Sequence, residues 1–145
     1  MTPPRLDVDA CQEKLALMAD LVADLDRQAE VTGAVLRADR DRRHVVERIL
    51  TQLVDIAGGL NSLLTRGLGH RAPTGYREGF EVLRQLGLLP KELVDRLLPS
   101  VGMRNLLTHE YGRIDLDLVA AATSASRRDY ADFVEVTRAA LREHA

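Results

Sequence analysis

The chain has 145 residues, enough for one domain with a real core and too few for two, which excludes a large multidomain enzyme. Hydrophobic residues at 46% and charged residues at 29% mark a chain that folds rather than a disordered one, and the lone Cys11 excludes an internal disulfide or a multi-thiolate zinc site. Twenty basic against twenty-two acidic residues, a net charge of -2, exclude a global positive field, and 3% aromatic residues without tryptophan argue against a base-stacking platform.

Apolar residues recur every three or four positions almost throughout. Leu15, Met18, Leu21, Val22, Leu25 and Ala29 predict a first helix from about Asp9 to Glu30. Beyond Thr32-Gly33 and a charged stretch from Arg37 to Arg43, the stripe from Val45 to Leu64 predicts the second and longest helix. Glycine and proline at Arg66 to Pro73 predict a loop. Thr74 is the expected N-cap of a short third helix carrying Tyr76, Phe80, Leu83 and Leu86, with Gly87 just past its end. Pro90 suits the first turn of a fourth helix running to about Gly112, and Pro99 inside it predicts a kink or a break. Asp115 is the expected cap of a fifth, which continues inward through Leu118, Tyr130, Phe133 and Leu141. Nothing alternates as a strand would. The expectation is an all-α, up-and-down bundle of about five helices forming a single domain over 1–145. With no apolar run of about 18 residues and no apolar leader after Met1, the expected location is the cytoplasm.

On a helical wheel of the second helix, Arg48, Gln52, Asp55, Gly59 and Ser62 fall opposite the core stripe. That stripe reads as a solvated face, as the polar wall of a cleft, or as a subunit contact where Gly59 permits close approach. Of the four histidines, His44, His70 and His144 lie in charged, loop or terminal settings where an uninvolved side chain is the default. His109 lies instead in Met103-Arg104-Asn105-Leu106-Leu107-Thr108-His109-Glu110-Tyr111-Gly112, a polar cluster at a helix end. Asn105 is one turn before it and can hydrogen-bond the imidazole. A guanidinium that holds a phosphate beside an imidazole that moves protons suits phosphate chemistry, although a histidine on a helix C-terminal dipole and an arginine in a surface pair fit the same spacing. No clustered ligand set suggests a metal, and neither a phosphate-binding glycine loop nor a serine elbow is present.

Arg104-Asn105 followed by His109-Glu110-Tyr111 resembles the Arg-x-x-x-x-His-x-Tyr signature of the HepT toxins, a branch of the HEPN superfamily. Val46 to Ala57 resembles that family's second helix, and Pro73 to Phe80 with Leu83 and Leu86 to Leu89 resembles its third, so the likeness runs from about Arg42 to Leu141. Pro99 and Gly102 depart from it, where family helices more often run on toward the arginine. The resemblance implies a HEPN-like bundle that dimerises, with a higher oligomer on the antitoxin also open, and a toxin that is a metal-independent endoribonuclease needing no cofactor. Arg104 and His109 match the catalytic pair, Asn105 the polar residue after the arginine, and Tyr111 the motif tyrosine; Asp55, with Arg48 behind it, is a supporting candidate. The implied partners are an RNA substrate and an MntA-like nucleotidyltransferase antitoxin that transfers AMP to Tyr111. The alternative is a non-catalytic helical module that binds a nucleotide or a nucleotidyltransferase.

Overall fold

The computed structural model describes residues 5–109 and 112–144. Local side chains set where most helices start. Asp7 caps α1 (Val8–Asp26) by accepting from the Ala10 amide at 3.0 Å, and Thr32 caps α2 (Gly33–Ala38) by accepting from Val35 at 3.1 Å. Asp39, in an extended conformation, ends α2 and caps α3 (Arg40–Gly67) through the Arg42 amide at 3.1 Å. Then follow α4 (Tyr76–Gln85), α5 (Lys91–His109) and α6 (Leu116–His144), the last capped by Asp115, which accepts from the Asp117 amide at 2.9 Å as its sequence context predicts. No strand occurs among the described residues.

Among the described residues the helices number six, against the expected five or so. Two cap residues seven positions apart, Thr32 and Asp39, cut a six-residue helix out of a segment whose only fully buried large side chain is Leu36. Thr74 is not the N-cap of α4. Gly75 is, and Thr74 directs its amide (3.2 Å) and its hydroxyl to the Glu78 carboxylate instead. Gly87 stands just past the end of α4 with φ +78°, a left-handed conformation that favours glycine, while the Leu88 amide closes on the Leu83 carbonyl at 2.9 Å. Pro99 does not break α5, which runs unbroken from Lys91 to His109. Pro99 itself is exposed, whereas Leu97 and Val101 on either side are buried, and packing on α3, α4 and α6 outweighs the roughly 3 kcal/mol that an internal proline costs a helix.

α3 is the axis of the molecule: it touches each of the other five helices. Its buried stripe, from Val46 to Leu64, meets one continuous core to which all the helices contribute. Phe80 of α4 packs edge-on to Phe133 of α6 at 5.8 Å, and Phe133 packs the same way on Tyr130 at 6.1 Å. Polar ties add to the α5–α6 seam. Arg96 donates to Asp129 at 2.6 Å and to Asp132 at 3.1 Å, and the Tyr130 hydroxyl lies 2.7 Å from Ser100 Oγ. Among the described residues no helix is long and apolar enough to cross a membrane.

Candidate active site

Because α3 is central, α4 and α5 pack against it and partly cover the middle of its polar face. Asp55 stands there. Arg104 reaches it from α5 and donates from Nε to Asp55 Oδ1 at 3.0 Å. Tyr76, the first residue of α4, donates its hydroxyl to the same oxygen at 2.8 Å. The guanidinium carbon lies 5.2 Å from the centre of the Tyr76 ring, within reach of a cation–π contact. Three helices thus place an acid, a phenol and a guanidinium in one cluster.

Burial differs across the cluster. The Arg104 side chain is 22% exposed and that of Asp55 is 40% exposed, so the pair is partly shielded but open on one side. The hydrogen bond to Asp55 pushes the Tyr76 phenol above its ordinary range, helped by burial and by the Asp55 charge and opposed by Arg104. Tyr76 therefore stays a donor near neutral pH. Asp55 occupies the Nε edge of the guanidinium, and among the described residues its Nη1 atom meets only Asn105 Oδ1, at 3.5 Å.

Asp55, Arg104 and Asn105 are brought together. His109 is not drawn into their network: it is exposed at the last residue of α5, one turn beyond the exposed Asn105. Five residues on a helix separate Arg104 from His109 by about 140° around the axis and about 7.5 Å along it. Within one chain the guanidinium turns toward α3 and α4, and the imidazole turns outward. Thr108 bonds back to the Arg104 and Asn105 carbonyls at 3.1 and 3.2 Å, which closes the last turn. Tyr111, the expected site of modification, lies outside the described residues. The remaining members of the polar stripe stay apart from the cluster: Arg48 is exposed, Gln52 and Ser62 are half-buried, and the nearest neighbour of Gly59 is Lys14.

Tyr76 belongs to the cluster, yet at helical spacing with Phe80 and Leu83 it reads as one more core side chain. Its hydroxyl was the available signal, because a tyrosine on an inward stripe needs a polar partner that phenylalanine does not. Leu106, two residues after Arg104, is exposed, and so is Leu118 of α6, which the sequence pattern placed inward; a groove of about 280 Å³ between α5 and α6 has Pro99, Met103, Leu118, Ala121, Ala122 and Ala125 in its lining. No three His, Cys, Asp or Glu side chains gather as a metal-binding set among the described residues.

The profile of the family described as "Ribonuclease HepT-like" matches residues 12–137, most of the chain and all of the cluster. This chain belongs to the HepT-like ribonuclease family. Its HepT relatives include the mRNA nuclease HepT of Shewanella oneidensis, 30% identical over 94 residues that cover 65% of this chain and 68% of the relative. The tRNA nuclease HepT of Aphanizomenon flos-aquae is 30% identical over 95 residues, 65% of this chain and 64% of that protein. Among solved structures, the tri-AMPylated Shewanella oneidensis HEPN toxin in complex with its MNT antitoxin superposes with a TM-score of 0.80 at 24% identity, over 90% of this chain and 98% of that one. The HepT resemblance read from the motif, the helical fold and the nuclease class are those of this family.

Proposed function

We propose that this protein is the toxin of a toxin–antitoxin pair and cleaves RNA in the cytoplasm without a metal ion, through the single domain formed by residues 1–145. The observation that carries the reading is the Arg104 guanidinium held by Asp55 at its Nε edge, one and a half turns before the exposed His109 at the end of α5. A guanidinium so held stabilises the charge that builds on a phosphate when the neighbouring 2′-hydroxyl attacks it. The products are a cyclic phosphate and a free 5′-hydroxyl. His109 serves as general base or acid, and Asn105 as a polar contact beside it.

Because guanidinium and imidazole diverge within one chain, the reading includes a homodimer in which the motifs of two copies share one cleft. Exposed Leu106 within the motif, and the α5–α6 groove that reaches Met103 just before Arg104, give such a contact its apolar area. The S. oneidensis HEPN toxin, tri-AMPylated and in complex with an MNT antitoxin, supports a nucleotidyltransferase antitoxin as partner, alone or in a higher oligomer, and AMP transfer to Tyr111 as the silencing step. AMP at that position adds bulk and negative charge where RNA must lie.

The test is cleavage of RNA by purified protein, with and without chelator, by wild type and by folded Arg104→Ala and His109→Ala. The expected result is chelator-resistant cleavage that falls about 10²- to 10⁴-fold in each variant. A folded His109→Ala protein that cuts as fast as the wild type rejects the assignment. The intact mass after co-expression with an MntA-like nucleotidyltransferase tests the regulation: a gain in multiples of AMP on Tyr111 is expected.

A further inference from the structure

The following rests on the nuclease reading above and concerns how Arg104 is aimed. We propose that Tyr76 is a positioning residue for the reaction: its ring and hydroxyl together fix the plane of the Arg104 guanidinium and restrict Asp55 to the Nε edge, leaving the Nη side to meet a phosphate. A carboxylate alone with a guanidinium favours a two-pronged pairing that takes up a second N–H. Here Oδ1 of Asp55 is shared between the Tyr76 hydroxyl at 2.8 Å and Arg104 Nε at 3.0 Å, and the carboxylate and the guanidinium meet through that single hydrogen bond. The ring lies 5.2 Å from the guanidinium carbon, so the phenol acts on both partners of the ion pair at once.

The surroundings are built around that ring. A Cβ on Gly58, three residues after Asp55 on α3, would stand 2.3 Å from two ring carbons of Tyr76, so glycine there makes the niche. The Thr74–Glu78 contact and the extended Gly75 fix the turn that makes Tyr76 the first residue of α4. Neither feature serves the core alone, since the ring is only partly buried and its hydroxyl goes to the charged pair.

The experiment is a double-mutant cycle on RNA cleavage, with Tyr76→Ala and Tyr76→Phe each made in the wild type and in Arg104→Lys, and thermal midpoints recorded for all. Lysine keeps a charge but has no planar fork to align. The expected result is a fall in kcat on the order of 10- to 100-fold for Tyr76→Ala in the wild type, partial recovery in Tyr76→Phe, and a change below about twofold from Tyr76→Ala in the lysine background. The same cycle read as Kd for an oligonucleotide with 2′-hydrogens, which cannot be cut, covers variants too slow to assay. Wild-type kcat in folded Tyr76→Ala, or an equal fold-loss in both backgrounds, overturns the positioning role alone. A wild type that does not cut RNA, or an Arg104→Ala that cuts as well as it, overturns the nuclease reading and this inference with it.

Discussion

Arg104 of α5 and Asp55 of α3 lie 49 positions apart in sequence, and their side chains meet at 3.0 Å on the polar side of the central helix. Removing the charge from Asp55 while keeping its shape is therefore the mildest way to loosen the guanidinium. Asp55→Asn is expected to lower kcat for RNA cleavage about 10- to 100-fold, the equivalent of one charge-assisted hydrogen bond. Because the carboxylate is 40% exposed and screened by solvent, the thermal midpoint should move by only a few degrees. Steady-state kinetics beside a melting curve check both; unchanged kcat refutes the orienting role.

Adjacent glycines on α3 should respond in opposite directions. Gly58→Ala places a methyl 2.3 Å from the Tyr76 ring and forces the ring or α4 to shift, at an expected cost of about 1–3 kcal/mol together with lost activity. At Gly59 the nearest atom to a new Cβ is the flexible Lys14 Nζ at 3.4 Å, so Gly59→Ala should stabilise the helix by up to about 1 kcal/mol. Urea denaturation of the two variants decides this. Weaker self-association in Gly59→Ala would instead reveal a subunit contact at that face.

The α5–α6 seam depends on Asp129, 5% exposed, which accepts from Arg96 at 2.6 Å and Arg128 at 3.1 Å. Asp129→Ala leaves Arg96 only Asp132, and the expected loss is about 2 kcal/mol in chemical denaturation. A loss below about 0.5 kcal/mol would mean that water serves the arginine equally well.

Alkaline pH should unfold the protein earlier than its arginine content suggests. Burial raises the phenol of Tyr130, and the bond to Asp55 raises that of Tyr76, so each native phenol keeps a proton that the unfolded chain releases near pH 10, its ordinary value. Their contribution is complete below about pH 10 and is lost as pH rises through the native values, at up to about 1.4 kcal/mol per pH unit for each group. Burial raises the Cys11 thiol likewise, which starts the decline near pH 9. Urea midpoints measured from pH 7 to 11 should stay level and then fall, and Tyr130→Phe should flatten the upper limb; an equally steep fall in that variant contradicts the assignment.

Most of the fold was legible because it is written in local terms. The core stripes of α1, α3 and α6 repeat at helical spacing, Asp115 and Gly87 mark ends through chemistry confined to a few residues, and the Arg104-to-Tyr111 run carries the family motif on one stretch of chain. Two differences are also local in origin: Glu78, four residues on, takes the donors of Thr74, and the caps Thr32 and Asp39 bound the short α2. One needed tertiary packing: Pro99 stayed inside α5 because three neighbouring helices hold it.

The sequence by itself determined that the chain is helical, where its apolar faces run and which residues carry the motif, since periodicity and spacing are properties of one segment at a time. Only the tertiary structure decided that Asp55, alone of its polar stripe, faces Arg104, and that Tyr76 spans the two. The reason is physical: which members of a polar face lose contact with water depends on how α3, α4 and α5 cross, and that crossing is set by the packing of a core drawn from the whole chain.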